Sequence, residues 1–270
     1  MDTEYFPTSN ITASAIVAAD IVREASLLAA REPILRSYLQ RRIGDVEALG
    51  AILPRLLSAE LEQPDIPFRT LRQLLRCIFS KEPELEQLAA LDINAVLRRD
   101  PATHSSLGVL ISHKGLRALT VHRVVHHLWN ENRRDMARHL QALSVRCYSV
   151  DIHPACRIGS AVMLDHATGI VVGETAQIGN DVSIMQGVTL GGTGKETGDR
   201  HPKIGSGVLV GAGAILLGNI NIGANAKIGA GSVVITDVPA GMTAVGVPAR
   251  FQSHASKHQP GEIMDQIHLF

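Results

Sequence analysis

The sequence predicts an α+β protein in two parts: an all-helical N-terminal domain (residues 1–145) and then a parallel β-helix of hexapeptide repeats (146–250). The first observation behind this is that an aliphatic residue returns every six positions from Ile152 to Val234, a period that fits neither an α-helix nor an ordinary strand. A second is that glycine follows many of these residues, as in Ile158-Gly159, Ile178-Gly179, Ile204-Gly205 and Ile228-Gly229. The third is a change of period near residue 146. Upstream of it glycines are few, prolines punctuate the chain, and apolar residues fall at three- and four-residue spacing.

In the first part, Pro33, Pro54, Pro64, Pro67, Pro83 and Pro101 cut the chain into amphipathic stretches such as Ile16 to Arg31, Val46 to Leu61, Phe68 to Phe79 and Leu116 to Trp129. Within the third of these, Leu71, Leu74, Leu75 and Ile78 share one helix face, with charged residues between them. In the second part the in-phase residues are Ile152, Ile158, Leu164, Val172, Ile178, Ile184, Leu190, Ile204, Val210, Leu216, Ile222, Ile228 and Val234. Each hexapeptide supplies a short flat strand and a tight turn. Three of them close a triangular coil of about eighteen residues, and the next coil, roughly 4.8 Å away, satisfies its backbone. The aliphatic residue points into the prism, while small residues turn the corners. After Arg250 a polar stretch with His, Gln and Pro (251–270) is expected to form a flexible tail.

The phase breaks twice, and insertions of this kind map to loops and binding faces. Eight residues instead of six separate Leu164 from Val172 and include Asp165-His166-Ala167-Thr168-Gly169. Between Leu190 and Ile204 the segment from Gly191 to Lys203 must leave the coil as a protruding loop. His166 lies two positions after the inward Leu164, hence outside the prism. Imidazole titrates near neutrality and can take a proton from an alcohol when a carboxylate fixes its tautomer. Asp165 and Asp151 are both close in sequence, but fifteen residues is not a whole coil, so repeat geometry does not itself bring Asp151 to His166.

Composition narrows the function classes. Formal charge is zero and aromatics make up 3% of the chain, which leaves neither the electrostatic footprint nor the stacking platforms of a nucleic-acid binder. No secretory or transit segment is recognisable, and no apolar run reaches the ~18 residues of a membrane span. Cys77, Cys147 and Cys156 are an odd set without metal-ligand spacing, so a reduced, cytoplasmic setting is expected. His122, His126 and His127 have a helix-face spacing compatible with a metal, yet no third ligand or carboxylate accompanies them, and they read as structural or solvated. Gly191, Gly192 and Gly194 lack the strand-to-helix context of a phosphate-binding loop. Taken alone, Asp100 before Pro101 reads as a helix terminus, and Arg200 and Lys203 as ordinary loop charges.

Joined motifs make the pattern specific. Val150-Asp151-Ile152-His153-Pro154, the run from Leu164 to Thr175, Val188-Thr189-Leu190-Gly191-Gly192-Thr193-Gly194-Lys195, Gly198-Asp199-Arg200-His201-Pro202-Lys203-Ile204 and Gly246-Val247-Pro248-Ala249-Arg250 together resemble the bacterial serine O-acetyltransferases. In the helical part, Arg98-Arg99-Asp100-Pro101-Ala102 matches a signature of the same family. The resemblance implies a left-handed coil and acetyl transfer from acetyl-CoA to the hydroxyl of L-serine, giving O-acetylserine for cysteine biosynthesis. It further implies His166 as general base with Asp151 as its orienter, Asp100 and Asp165 on the serine ammonium, and Arg200 and His201 on its carboxylate, with Glu174 in support. This division fits an amino acid, which needs anionic groups at one end and cationic donors at the other. A backbone N–H from the Gly191 to Thr193 stretch is a candidate oxyanion donor.

Acetyl-CoA is expected as a co-substrate, with no permanently bound cofactor and no metal. Small residues along the later coils, Gly192, Thr193, Ala212, Gly213, Ala230 and Gly231, are candidates to admit its pantetheine arm, and Lys227 to attract a phosphate. The resemblance also implies trimers, two of which join as a hexamer, and feedback inhibition by L-cysteine. Other acceptors, a sugar or homoserine, define the nearest rival. A γ-type carbonic anhydrase with zinc on His153, His166 and His201 is a further alternative, although Arg200 would repel the metal. A non-catalytic scaffold would leave the polar motifs unexplained. Many family members end in isoleucine on a tail that enters O-acetylserine sulfhydrylase, whereas this chain ends in Ile267-His268-Leu269-Phe270. A peptide ending in Leu269-Phe270 is therefore expected to bind that enzyme weakly or not at all, and nanomolar binding by calorimetry would overturn this expectation.

Overall fold

The computed structural model describes residues 12–46, 48–195, 197–253 and 259–264, so the terminal residues Ile267 to Phe270 lie outside the described residues. Its first part is helical: α1 (Ala13–Arg31), α2 (Arg36–Arg42), α3 (Leu49–Leu61), α4 (Phe68–Lys81), α5 (Glu84–Arg99), α6 (Ser106–Ser112), α7 (Lys114–Asn130) and α8 (Arg134–Tyr148). Thr12 starts α1 by accepting the N–H of Ala15 on its hydroxyl, and Ser105 starts α6 in the same way through Gly108. Pro54 does not end a helix, as its type would suggest. It lies inside α3, which forgoes one backbone hydrogen bond there and still buries Ile52, Leu53, Leu56 and Leu57.

The second part is a left-handed parallel β-helix of three sheets. Sheet 1 stacks β1 (Val150–Ile152), β4 (Ile170–Val172), β7 (Thr189–Gly191), β10 (Ile215–Leu217) and β13 (Val233–Val234). Sheet 2 stacks β2 (Arg157–Ile158), β5 (Gln177–Ile178), β8 (Lys203–Ile204) and β11 (Asn221–Ile222). Sheet 3 stacks β3 (Met163–Leu164), β6 (Ser183–Ile184), β9 (Leu209–Val210), β12 (Lys227–Ile228) and β14 (Met242–Gly246), with β15 (Ala249–Ser253) added antiparallel at its edge.

The register reproduces the six-residue beat. Ile152 lies against Val172, Val172 against Leu190, and Leu190 against Leu216. On sheet 3, Leu164, Ile184, Val210 and Ile228 form the same kind of ladder. All of these side chains are buried, and each contributes roughly 1.5–3 kcal/mol of transfer free energy.

A solenoid needs its first coil closed, because the backbone there has no coil beneath it. Polar side chains of α5 and α7 do this. His122 donates from Nε2 to the Cys156 carbonyl at 3.1 Å, and His126 from Nδ1 to the Pro154 carbonyl at 2.8 Å. Arg123 donates to the Gly159 carbonyl and to Asp92, whose other oxygen accepts the Val162 N–H. Arg99 donates to the Ala161 carbonyl at 2.9 Å and pairs with Asp181. Of the histidines at helix-face spacing, His122 and His126 are thus caps for the coil, while His127 faces the carboxylates of Glu82 and Glu131 rather than standing without one.

The residues after Arg250 do not all leave the fold. Phe251 to Ser253 continue β15, and Pro260–Ile263 form one helical turn, α9, against β9. There Ser183 donates to the Gly261 carbonyl at 2.6 Å, and a Cβ on Gly261 would come 2.3 Å from the Asp181 carbonyl oxygen. On sheet 3 even the outward positions Met163, Ser183, Leu209, Lys227 and Thr243 are buried, which a strand pattern alone cannot foresee.

Burial pushes the His122 pKa down from 6.5 to about 3, with His126 and Arg123 adding to the shift. Between those values the unfolded chain binds a proton that the folded chain refuses. The His122 contribution to stability is therefore lost as pH falls below 6.5, by at most about 1.4 kcal/mol per pH unit. His122→Gln keeps a donor for the Cys156 carbonyl without titrating. Urea denaturation at about pH 7 and about pH 5 should show a smaller acid loss for this variant than for the parent, and equal losses would remove His122 as a source of acid sensitivity.

Candidate active site

His166 occupies the corner between β3 and β4. Two consecutive non-glycine residues there, His166 and Ala167, have φ of 53° and 61°, and this left-handed pair turns the imidazole outward, 72% exposed. Its neighbour Asp165 approaches the ring Nε2 to 3.8 Å. The N-terminal turn of α7 is pressed onto the same corner: a Cβ on Gly115 would come 2.0 Å from the Leu164 carbonyl oxygen, so only glycine allows this contact. Lys114 of that turn hydrogen-bonds the Thr168 hydroxyl.

Asp100 reaches this corner from the end of α5. It does end the helix, as its place before Pro101 implies, and its carboxylate folds back to accept the Ala102 N–H at 2.8 Å and the Thr103 hydroxyl at 2.6 Å. Asp100, Thr103, His113, Lys114, Asp165, His166 and Thr168 line one cavity of about 550 Å³. Burial works to raise the Asp100 pKa, but the hydrogen bonds from Thr103 and Ala102, together with the nearby His113 and His166, hold it below the usual carboxylate value.

A second group lies at the other edge of sheet 1. Glu174, just after β4, accepts from Arg200 Nη2 at 2.8 Å, and this bond is the main reason its pKa is lowered. The Thr175 hydroxyl accepts the N–H groups of Arg200 and His201, so its own proton goes to His201 Nδ1 at 2.8 Å. Burial, followed by the Arg200 charge, lowers the His201 pKa. The neutral ring therefore carries its proton on Nε2 and is a donor. The ring rests on Gly173, where a Cβ would come 2.0 Å from its Cδ2. Lys203 ties the base of the protruding loop through Asp199 and the His201 carbonyl.

Asp151 lies between the two groups. It lies on the outer face of β1 opposite Val171, accepts from Gln141 at 2.7 Å, and shares electrostatic contact with His153 and, through it, Glu174. Among the described residues no hydrogen bond or ion pair joins Asp151 to His166. From Gly169 to Gly173 the strand spans about 13 Å, so the His166 corner and the Glu174–Arg200–His201 group lie farther apart than one side-chain hydrogen bond can bridge. The described residues hold no group of three or more His, Cys, Asp or Glu able to bind a metal.

The small residues divide between the same two edges. Gly187 N–H bonds Thr168 O, Gly213 N–H bonds Gln186 O, and Gly231 N–H bonds Ala212 O, so Ala212, Gly213, Ala230 and Gly231 stack in a column above the His166 corner. Gly213 and Gly231 have open space where a Cβ would be. Gly192 and Thr193 stand at the opposite edge, near Arg200 and Gly218. Lys227 has to be removed from the phosphate role, since it is buried (1% exposed) within sheet 3 and faces no open surface. His113, Thr103, Gln141 and Gly187 are not singled out by the sequence, because nothing in their spacing marks them. Gly173 and Thr175, by contrast, stand within the motif from Leu164 to Thr175.

A triangular coil that carries an exposed imidazole at a corner, beside a column of alanine and glycine residues, defines a hexapeptide-repeat acyltransferase. Residues 17–121 match the family described as "Serine acetyltransferase, N-terminal", and residues 201–236 match "Bacterial transferase hexapeptide (six repeats)". The serine acetyltransferase of Haemophilus influenzae is 49% identical over 249 residues, covering 92% of this chain and 93% of its own. Among solved structures, "Serine Acetyltransferase- Complex with Cysteine" superposes with a TM-score of 0.90 at 48% identity, covering 93% of this chain and 98% of the other. The Brucella abortus enzyme in complex with coenzyme A does so at 0.87 and 43%, covering 89% and 96%. The chain belongs to the serine acetyltransferase family.

Thr175→Val removes a hydroxyl shared by three groups of the loop. The kcat/KM for serine should fall by roughly 10- to 100-fold, the scale of leaving such groups unpaired, with the thermal midpoint little changed. An unaltered kcat/KM in a thiol-release assay would show that Arg200 and His201 are held by other means.

Proposed function

We propose that the chain transfers the acetyl group of acetyl-CoA to the hydroxyl of L-serine, giving O-acetylserine and CoA, in a site completed between two copies of the chain. The observation that carries this reading is the separation of the two half-sites. A base and two carboxylates, His166, Asp100 and Asp165, stand at one edge of sheet 1. The cationic donors Arg200 and His201, with Glu174, stand at the other, and Asp151 lies on the face between them. A zwitterionic amino acid needs both halves within its own length, and one chain keeps them too far apart. A neighbouring copy offering its opposite edge brings Arg200 and His201 to the serine carboxylate and Asp151 to the far side of the His166 ring. Trimers, alone or paired as a hexamer, are the assembly that we infer.

In the reaction His166 accepts the proton of the serine hydroxyl as the oxygen attacks the thioester carbonyl. The C–O bond forms, and the carbonyl oxygen takes up negative charge next to a backbone N–H of the Gly191 to Thr193 stretch. The intermediate then collapses with cleavage of the C–S bond, and the imidazolium returns its proton to the departing thiolate. Acetyl-CoA is a co-substrate whose pantetheine arm follows the column of Ala212, Gly213, Ala230 and Gly231, with Gly192 and Thr193 facing it, and no resident cofactor is required.

L-cysteine carries the same two charged ends with a thiol in place of the hydroxyl, so it is the expected inhibitor at the serine site. The setting that we infer is the cytoplasm. Cys77, Cys147 and Cys156 are all unpaired, and no helix among the described residues is long and apolar enough to cross a membrane.

His166→Asn should reduce kcat by roughly 10²- to 10⁴-fold while serine still binds, as expected on removal of a general base. Arg200→Ala should raise the serine KM instead. If the two variants are unfolded and refolded together, mixed assemblies contain sites with one intact half from each copy. Recovery of CoA release above that of either variant alone is expected, and no recovery from soluble mixed assemblies would sink the shared site.

A further inference from the structure

His113 is the residue between α6 and α7, and its ring caps neither helix: the α6 end is closed by its backbone N–H to the Val109 carbonyl, and α7 has no side-chain cap. The ring instead turns into the cavity that holds Asp100, Asp165 and His166. Its Nε2 lies 2.8 Å from the Thr103 hydroxyl and 3.3 Å from Asp100 Oδ2. The proton inventory fixes the direction of the chain. Thr103 has one hydroxyl proton, and it goes to the Asp100 carboxylate at 2.6 Å. The Thr103 oxygen must therefore accept from His113, which carries its proton on Nε2.

We propose that His113 is a positioning residue for the acceptor amine: its ring N–H, relayed through the Thr103 hydroxyl, holds the Asp100 carboxylate in the orientation that receives the serine ammonium. This rests on the reading of Asp100 as an ammonium ligand. One carboxylate oxygen is tied to the Ala102 N–H and the other to Thr103, so the outward lone pairs point into the cavity in one fixed arrangement. A neutral His113 does this without adding charge. A protonated His113 places a cation 3.3 Å from the group that the substrate cation must approach, and the two then compete.

The groups facing the ring are Asp100 at the end of α5, Asp165 and His166 at the β3–β4 corner, and Lys114 and Arg117 on α7. Burial is the largest influence and favours the neutral ring. Asp100 and Asp165 oppose it, while Arg117 and His166 reinforce it. The balance lowers the His113 pKa below 6.5, so the ring is neutral at neutral pH and becomes a competitor only on acidification.

The test is steady-state kinetics of the full chain in its native assembly, with L-serine varied at saturating acetyl-CoA. His113→Leu removes the donor and should raise the serine KM by about tenfold, the scale of one charge-assisted hydrogen bond. The kcat should stay within about twofold, and the KM for acetyl-CoA should not move. Thr103→Val should match it, and the double variant should be no worse than either single one. His113→Gln sets an amide N–H where the ring N–H was. It should restore the neutral-pH KM and, unlike the parent, show no additional rise in KM as pH is lowered to about 5.5.

An unchanged serine KM in a folded His113→Leu chain overturns the proposal. So does a His113→Gln variant as impaired as His113→Leu, or one that keeps the full acidic rise. Should His113→Leu fail to fold, Thr103→Val and His113→Gln decide alone. Asp100→Asn separates the two levels. If it leaves the serine KM intact, the ammonium reading of Asp100 fails and takes this proposal with it; if it raises KM while the His113 and Thr103 variants are silent, only the role of His113 falls.

Discussion

Closure of the first coil of the solenoid is the constraint on which the rest of the molecule depends. A stack of parallel coils exports an unpaired backbone edge at each end, and an open edge of this kind invites pairing with other chains. Here Arg99, Asp92, His122, Arg123 and His126 supply donors and an acceptor to the Pro154, Cys156, Gly159, Ala161 and Val162 backbone. The helical part is therefore bound to the solenoid by directional bonds as well as by apolar packing. Arg99 and Asp92 are both buried, and neither is tolerable in that position without its partners.

The same closure builds one half of the proposed site. Arg99 anchors the end of α5 against the coil, and the next residue is Asp100, which is thereby delivered to the His166 corner. The seating of α7 through Gly115 on the Leu164 carbonyl brings His113 and Lys114 to the other side of that corner. A cavity lined by two carboxylates and an exposed imidazole is thus a product of the interface between the two parts, and neither part contains it alone. The left-handed pair His166–Ala167 completes the geometry, because a flat hexapeptide corner would not turn the ring away from the prism.

Sheet 1 carries the polarity of the site across its width. Carboxylates and a base stand at one edge, while a guanidinium and a neutral imidazole donor stand at the other, and the exposed Val171 and Ile215 lie between them. This arrangement suits a substrate with opposite charges at its two ends. It also explains why the expected Asp151–His166 pair is not made within the chain. Asp151 is on the face of β1 and is engaged with Gln141, whereas His166 lies around the corner.

Much of the architecture could be read directly from the chain, because the inward ladder of a β-helix is a local property. Each hexapeptide places its own aliphatic residue in the prism whatever its neighbours do, and Ile152 to Val234 report that faithfully. The two phase slips marked His166 and the Arg200–His201 loop for the same reason, since an insertion must protrude wherever it occurs. What only the tertiary structure decided are contacts between segments tens of residues apart. These include the relay from His113 through Thr103 to Asp100, the coil-capping duty of His122 and His126, the burial of Lys227 within sheet 3, and the docking of Gly261 on the Asp181 carbonyl. Sequence periodicity states which way a side chain points from its own backbone, but it carries no information about what another segment lays across that direction, and these residues owe their roles to such crossings.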